Sequence, residues 1–219
     1  MKNVEFYIVG GYVRDMIMGV TPKDKDFVVV GADRQYMLDN GYTQVGADFP
    51  VFISKDGDEY ALARKDRSTG DGYNDFEFDV EGVSLEDDLV RRDLTINSCA
   101  MDVETGELFD HFGGRQDIHD KVFRPVSDAF EEDPVRVLRV ARLRARFGAE
   151  WSYSDSLVSM VARMVKHGKL DSLQKDRVWK EMSRALMEPY PRLFFDTLLE
   201  LDALHVVFPE IYKLLTALE

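Results

Sequence analysis

Two short apolar runs, each followed by glycine, dominate the first thirty residues. Residues 4–9 and 26–30 are rich in β-branched and aromatic side chains, which predicts buried strands. Between them, residues 12–18 have the pattern of a short helix that ends at Gly19. A strand, a turn with two adjacent glycines, a helix and a second strand constrain this part of the chain to an α/β arrangement on a small sheet.

The pattern changes from strands to helices near residue 130. Further strand candidates lie in the first part, at residues 50–54, 59–64 and 76–80. Residues 65–75 are rich in Gly, Asp and Ser without periodicity, which predicts a mobile loop. Four segments with helical spacing follow Pro134, near residues 134–146, 155–167, 174–187 and 190–201. We therefore predict an α+β fold, with one domain over residues 1–130 and a helical region over residues 131–219.

The net charge of −13 argues against a nucleic-acid partner at first sight, but the charge is unevenly distributed. Residues 1–133 contain 14 Lys and Arg against 30 Asp and Glu, a net of −16. Residues 134–192 contain 13 Lys and Arg against 6 Asp and Glu, a net of +7. The basic segment is therefore the candidate for contact with a phosphate backbone.

Cysteine content and hydropathy indicate the cellular compartment that the protein occupies. The single cysteine, Cys99, cannot form an internal disulfide, and no Cys and His spacing indicates zinc. No segment approaches the roughly 18 apolar residues of a membrane span, and the apolar run at residues 6–9 is too short for a signal peptide. We expect a reduced, cytoplasmic protein with no membrane partner.

The first group of candidate site residues surrounds the double glycine. Gly10 and Gly11 between a strand and a helix would let the backbone approach a phosphate, and Arg14 would add a charged fork. Asp24 and Asp26 are two residues apart, so on a strand both carboxylates point to one face. Two carboxylates beside a phosphate cradle suit a catalytic site with two Mg²⁺ ions. A strand–turn–helix with surface charges is the alternative interpretation of either motif alone.

Four motifs in order resemble the class II tRNA nucleotidyltransferase and bacterial poly(A) polymerase family, and the similarity is greatest to the proteobacterial CCA-adding type. The motifs are GGYVRD with KDKDFVVVG at residues 10–31, RRDLTIN at 91–97, FGGRQD at 112–117 and EDPVRVLR at 132–139. The resemblance implies a polymerase-β-like nucleotidyltransferase head domain with a small mixed sheet, followed by an all-α neck and body region. It also implies stepwise addition of C, C and A to the tRNA 3′ end from CTP and ATP, with release of pyrophosphate and with Mg²⁺ held by Asp24 and Asp26.

The RRDLTIN motif supplies candidates for the ribose end of the nucleotide. Arg92 can contact phosphate or ribose oxygens, and Asp93 is suited to accept a hydrogen bond from a ribose hydroxyl. Asn97 is interpreted as a supporting residue. A solvated helix of mixed charge is the alternative for this segment.

The helix after Pro134 carries arginines on one face and apolar side chains on the other. The arginine face comprises Arg136, Arg139, Arg142 and Arg146, and the apolar face comprises Val137, Leu138, Ala141 and Ala145. The resemblance implies that Asp133 and Arg136 hydrogen-bond the base edge and that Arg139 also contacts the nucleotide. An ionised Asp133 offers acceptors and Arg136 offers donors, so the pair could accept CTP and ATP and reject UTP and GTP. Arg142, Arg144 and Arg146 are interpreted as contacts to the tRNA backbone or as structural residues.

Several alternatives stay open on the sequence alone. A poly(A) polymerase, an enzyme that adds only CC or only A, and a non-catalytic tRNA-binding module share the same motifs. The four histidines lie far apart and form no HxxxH pair, so we expect no HD phosphohydrolase activity, and no DNA partner is expected. Candidate tRNA contacts in the basic segment are Lys166, Lys169, Lys175, Arg177 and Lys180.

Overall fold

The structure, a computed structural model, describes residues 4–23, 25–45, 51–68, 76–79 and 82–217. The chain divides into two compact units, Met1–His119 and Asp120–Glu219, named here the first and second unit. This division falls before the predicted domain boundary near residue 130, and the assignment of separate functions to the two domains stays a prediction. None of the helices in the described residues is long and apolar enough to cross a membrane.

In its described residues, the first unit combines nine strands with four helices. The strands are β1 (Glu5–Val9), β2 (Asp26–Val30), β3 (Thr43–Val45), β4 (Val51–Ile53), β5 (Glu59–Leu62), β6 (Lys65–Ser68), β7 (Phe76–Asp79), β8 (Ala100–Asp102) and β9 (Leu108–Phe109). The helices are α1 (Gly11–Ile17), α2 (Arg34–Asp39), α3 (Leu85–Val90) and α4 (Gly114–Asp120), with a 3₁₀ turn at Thr95–Asn97.

Seven of these strands form one mixed sheet in the order β3-β4-β5-β2-β1-β8-β9. Strands β2 and β5 are parallel, whereas the other neighbouring pairs are antiparallel. The predicted small mixed sheet with helices is thereby confirmed. In the register of β1 and β2, the last residue of β1, Val9, pairs with the first residue of β2, Asp26. This pairing brings the start of β2 beside the double glycine.

Strands β6 and β7 form a separate antiparallel hairpin, which corrects one prediction. The predicted loop over residues 65–75 is wrong for Lys65–Ser68, because those residues pair with Phe76–Asp79. A four-residue polar strand has no hydrophobic period of its own, and its pairing depends on a partner that a local pattern does not reveal. Residues 69–75 lie outside the described part of the chain.

Both faces of the central strands are buried. On β1, Tyr7 and Val9 pack into one cluster with Val28, whereas Ile8 packs into another with Phe27. Strands covered on both faces read as near-continuous apolar runs rather than alternating ones. This burial explains why these two strands could be recognised from their sequence.

The second unit is mainly helical, as predicted. Its helices are α5 (Val135–Phe147), α6 (Asp155–Lys166), α7 (Lys175–Ala185), α8 (Arg192–Glu200), α9 (Leu204–Val207) and α10 (Pro209–Thr216). Two short strands, β10 (Val122–Phe123) and β11 (Ser152–Tyr153), pair in parallel. Helix α5 packs against α7 and α8, and its predicted apolar face is fully buried, at Val137, Leu138, Ala141 and Ala145.

Candidate active site

The double glycine forms the turn between β1 and α1. Gly10 has a φ of 71°, a left-handed conformation that glycine adopts without a steric penalty. A Cβ at Gly10 would lie 3.3 Å from Nη1 of Arg92, so the guanidinium of the RRD motif rests directly against this turn. The turn also donates the Gly10 N–H to the carbonyl of Cys99, over 3.3 Å. The first and second motifs are therefore in contact in the folded first unit.

Of the two candidate metal ligands, Asp26 is described and Asp24 lies outside the described residues. Asp26 is exposed at the first position of β2 and pairs in register with Val9 on one side and with Glu59 of β5 on the other. Within the part of the chain that the structure describes, no group of three or more His, Cys, Asp or Glu side chains is placed to hold a metal ion. An exposed carboxylate at a strand end still fits the hard oxygen ligands that divalent cations prefer.

Arg14 lies inside the first unit, where it contacts other motif residues. Its side chain is 5% exposed. Its Nε and Nη2 donate to Oδ1 of Asp15 over 2.9 and 2.7 Å, and its Nη1 donates to Oδ1 of Asn97 over 2.6 Å. A Cβ at Gly11 would meet Nη2 of Arg14 at 3.3 Å. The described contacts of Arg14 therefore give it a structural position, and its predicted contact with phosphate stays a prediction.

Asn97 links Arg14 to Asp93. Its Nδ2 donates to Oδ1 of Asp93 over 3.0 Å, and the same oxygen accepts the backbone N–H of Leu94 over 2.8 Å. Asp93 is 5% exposed, so its carboxylate is held by neighbours on the protein side. A continuous row of hydrogen bonds thus joins α1 to the RRDLTIN segment, consistent with the supporting role inferred for Asn97.

A buried carboxylate, Asp88, holds both arginines of the RRD motif. Its Oδ1 accepts from Nε and Nη2 of Arg91 over 3.2 and 2.8 Å, and its Oδ2 accepts from Nε and Nη2 of Arg92 over 3.3 and 3.0 Å. Burial alone would raise the pKa of Asp88, but the charges and hydrogen bonds of Arg92 and Arg91 lower it below its ordinary value. Sequence reasoning assigned Asp88 no role, although its spacing of three and four residues to the arginines on a short helix was the available signal.

The FGGRQD motif packs on the end of the RRDLTIN segment. A Cβ at Gly114 would lie 2.3 Å from the carbonyl oxygen of Thr95 and 2.8 Å from Sγ of Cys99, so only glycine fits. The Thr95 hydroxyl donates to Oδ2 of the buried Asp117 over 2.6 Å. Burial, together with the nearby Asp110, raises the pKa of the Cys99 thiol to about 12. The third motif therefore supports the second by close packing.

The candidate base-reading residues lie in the second unit. Asp133 accepts the N–H of Val135 at the start of α5 over 3.1 Å and receives both terminal nitrogens of Arg177, over 2.9 and 2.7 Å. Arg136 is half-buried, and its Nη1 donates to the carbonyl of Ala129 over 2.7 Å. Arg139 is half-buried on the same face of α5 as Arg136.

Two other arginines of α5 have structural partners. Arg142 donates to Oε2 of the buried Glu181 on α7 over 2.6 Å. Arg144 is 9% exposed and contacts Tyr153, Thr197 and Glu200. Of the two roles considered for Arg142 and Arg144, these contacts favour the structural one.

Comparison with known families follows the same division of the chain. Residues 6–124 match the model of the poly A polymerase head domain. The chain belongs to this family. Residues 159–215 match a second model, described as the probable RNA and SrmB-binding site of polymerase A. Membership of the poly A polymerase head domain family implies dependence on a divalent metal ion.

Known relatives and solved structures give the same assignment. The chain is 50% identical over 211 residues to the multifunctional CCA protein of Acinetobacter baylyi. The matched residues make up 95% of this chain and 51% of the relative. A structure described as the complex of CCA-adding enzyme with CTP has a TM-score of 0.76 and 26% identity, over 95% of this chain and 48% of the other. A tRNA nucleotidyltransferase complexed with a primer tRNA and an incoming ATP analog has a TM-score of 0.73 and 31% identity, over 94% of this chain and 59% of the other. The chain spans about half the length of the curated relatives it matches.

Proposed function

We propose that this chain is a template-independent nucleotidyltransferase that adds C, C and A to the 3′ end of tRNA from CTP and ATP and releases pyrophosphate. The observation that carries the proposal is the arrangement at the double glycine. There, the strand register pairs Asp26 with Val9, the residue before the turn, and the Arg92 guanidinium rests against the same turn. A relative at 50% identity is a multifunctional CCA protein, which supports this product rather than another polymer.

Asp24 and Asp26 are the residues that would hold Mg²⁺, the specific divalent ion that we propose. When bound, Mg²⁺ would lower the pKa of the attacking 3′ hydroxyl and neutralise charge on the triphosphate and its leaving group. Arg92, held by Asp88, is placed to bind phosphate or ribose oxygens. Asp93, fixed by Asn97, is suited to accept from a ribose hydroxyl, which favours ribonucleotides. Gly11 and Arg14 complete the proposed phosphate cradle, in which Arg14 acts at least by holding Asn97.

Asp133, Arg136 and Arg139 are proposed to select the base. C and A each present an exocyclic amino donor, whereas U and G present a carbonyl oxygen at the corresponding position. A carboxylate acceptor beside a guanidinium donor matches C and A and leaves U and G with two acceptors facing each other. The tRNA is proposed to contact the basic residues of the second unit, Lys166, Lys169, Lys175 and Lys180. A cytoplasmic location is part of the proposal, because the single cysteine is buried and free, as expected in a reducing compartment.

Incorporation into defined tRNA ends tests the proposal. tRNAs that end at the discriminator base, at the first C or at CC are incubated with each labelled nucleotide and Mg²⁺. We expect two C residues and then one A, with no incorporation of U or G. A long tail formed from ATP alone would identify a poly(A) polymerase instead, and addition of only CC or only A would identify a partial enzyme.

The metal-ligand assignment has its own test. Asp24→Ala and Asp26→Ala should each abolish incorporation, by at least about 10³-fold, because each removes a proposed ligand of the catalytic ions. Binding of tRNA, measured by filter retention, should be largely unchanged. The control is Asp56→Ala, which removes an exposed carboxylate from the β4–β5 turn and should keep wild-type activity. Full activity of either Asp24 or Asp26 variant would refute the metal site, and tRNA binding by a wild-type chain without incorporation would favour the non-catalytic module.

A further inference from the structure

Within the second unit, Arg177 of α7 holds the carboxylate of Asp133, which lies just before α5. Arg177 lies in the first turn of α7, and its two terminal nitrogens donate to the two oxygens of Asp133 over 2.9 and 2.7 Å. Both side chains are about three-quarters buried, at 26% and 27% exposure. A bidentate pair of this kind fixes the plane of the carboxylate as well as its position. Sequence reasoning had grouped Arg177 with the tRNA-contacting lysines.

The backbone around Asp133 would not fix its side chain alone. Asp133 has extended φ and ψ angles of −126° and 102° between the 3₁₀ turn at Asp128–Glu132 and helix α5. The N–H of Val135 holds only Oδ1. A single hydrogen bond to one oxygen leaves rotation about χ2 open. Among the described residues, it is Arg177 that holds the second oxygen.

These contacts determine which oxygen faces a ligand. Each carboxylate oxygen has two acceptor positions. Oδ1 accepts from Val135 and from Nη1 of Arg177, whereas Oδ2 accepts from Nη2 of Arg177. Among the contacts found in the described residues, Oδ2 therefore keeps one acceptor position with a fixed direction.

We infer that Arg177 is a positioning residue for base selection, which holds Asp133 so that Oδ2 accepts the amino group of the incoming C or A. The inference rests on the proposed function and adds a residue to it. A carboxylate that rotates loses the fixed direction of its acceptor, so it distinguishes an amino donor less well from the carbonyl oxygen of U or G. Arg177 prevents this rotation, because its planar fork holds both oxygens of the carboxylate. Loss of the fork should therefore reduce discrimination between nucleotides and not only the rate.

Helix α7 offers a conservative variant and a matched control. Arg177→Lys keeps the charge but cannot form two parallel hydrogen bonds. Arg184→Lys is the same substitution at an exposed position of the same helix. The measurement is kcat/KM for CTP and for UTP with a tRNA that lacks CCA. We expect kcat/KM for CTP to fall about 10- to 100-fold in Arg177→Lys, and the ratio of CTP to UTP to fall at least about tenfold. Arg184→Lys should keep the wild-type ratio.

A purely structural role for Arg177 predicts a different result. Damage to the fold would lower kcat/KM for all nucleotides by the same factor and leave the CTP to UTP ratio unchanged, and that outcome would overturn the inference. Tryptophan fluorescence from Trp151 and Trp179, both in the second unit, shows whether Arg177→Lys is folded. If Arg177→Lys were unfolded, Asp133→Glu would decide: it keeps the charge but moves the oxygens by one methylene, so it must also lower the ratio. A wild-type chain that incorporates no nucleotide would refute the proposed function itself, and the inference with it.

Discussion

Replacing Asp88 by Asn tests whether one buried carboxylate organises the RRD motif. The Asp88 side chain is 1% exposed and accepts four hydrogen bonds from Arg91 and Arg92. Removing one partner of a buried ion pair costs about 3–5 kcal/mol. The two arginine side chains are 19% and 21% exposed, so water would solvate them in part, and Asn keeps one acceptor oxygen. We therefore expect the free energy of unfolding of the first unit to fall by about 2–3 kcal/mol.

The single cysteine provides a measurement confined to the first unit. Cys99 is fully buried there, so a thiol reagent modifies it only when that unit opens. Where reclosing is faster than modification, the modification rate reports the open population. A loss of 2–3 kcal/mol should then raise the rate about 30- to 160-fold at pH 7. The control is Glu86→Gln, which removes the same charge from an exposed position of the same helix and should change the rate little.

The dependence on pH gives an independent check. Because the pKa of Asp88 is lowered below its ordinary value of 3.8 in the folded protein, its contribution to stability is present above pH 3.8 and is lost as the pH falls through the folded value. The difference between wild type and Asp88→Asn in urea unfolding, followed by circular dichroism, should be constant near neutral pH and shrink in acid. Equal modification rates for Asp88→Asn and Glu86→Gln, or a difference that grows on acidification, would refute the reasoning.

Two further substitutions test close packing in each unit. Gly114→Ala places a methyl group 2.3 Å from the Thr95 carbonyl, so the first unit should lose at least about 2 kcal/mol of stability in thermal unfolding, and an unchanged melting temperature would contradict this packing. Arg142→Met leaves the buried carboxylate of Glu181 without its ion-pair partner and should cost about 3 kcal/mol, measured by tryptophan fluorescence. A second substitution, Glu181→Gln, should recover much of that loss, whereas full additivity of the two losses would argue that the pair is not coupled.

Helices and strands that carry a local pattern of apolar residues could be predicted from the sequence. Helix α5 was predicted from its apolar spacing, and the structure buries the predicted face. Strands β1 and β2 were predicted because both of their faces are covered, which gives continuous apolar runs. Strand β6 was not predicted, because its four residues are ordered by pairing with β7 and not by a core of their own.

Side-chain partners were the part of the site that the sequence could not supply. Arg14 and Asn97 are 83 residues apart, and Asp133 and Arg177 are 44 apart. No local spacing connects such pairs, so the motifs predicted candidate site residues without showing what each one contacts. Asp88 is different, because Arg91 and Arg92 follow it at the helical spacings of three and four residues. That spacing is shared by solvated surface pairs, and only the burial of Asp88 separates the two cases.

Burial also separates motif residues that the sequence presents as equivalent. Arg14 and Arg92 both belong to charged motifs, yet the Arg14 side chain is 5% exposed and engages two neighbours, whereas the Arg92 side chain is 21% exposed and rests against the Gly10 turn. A guanidinium with three donors engaged by buried partners has fewer left for a phosphate than one with two engaged. Asp88 holds Arg92 in the first unit, and Arg177 holds Asp133 in the second. In both, an oppositely charged neighbour fixes a candidate substrate contact in direction. We therefore expect substitution of Arg177 to change which nucleotide is accepted and substitution of Asp88 to change how fast it is used, although neither residue needs to touch the nucleotide.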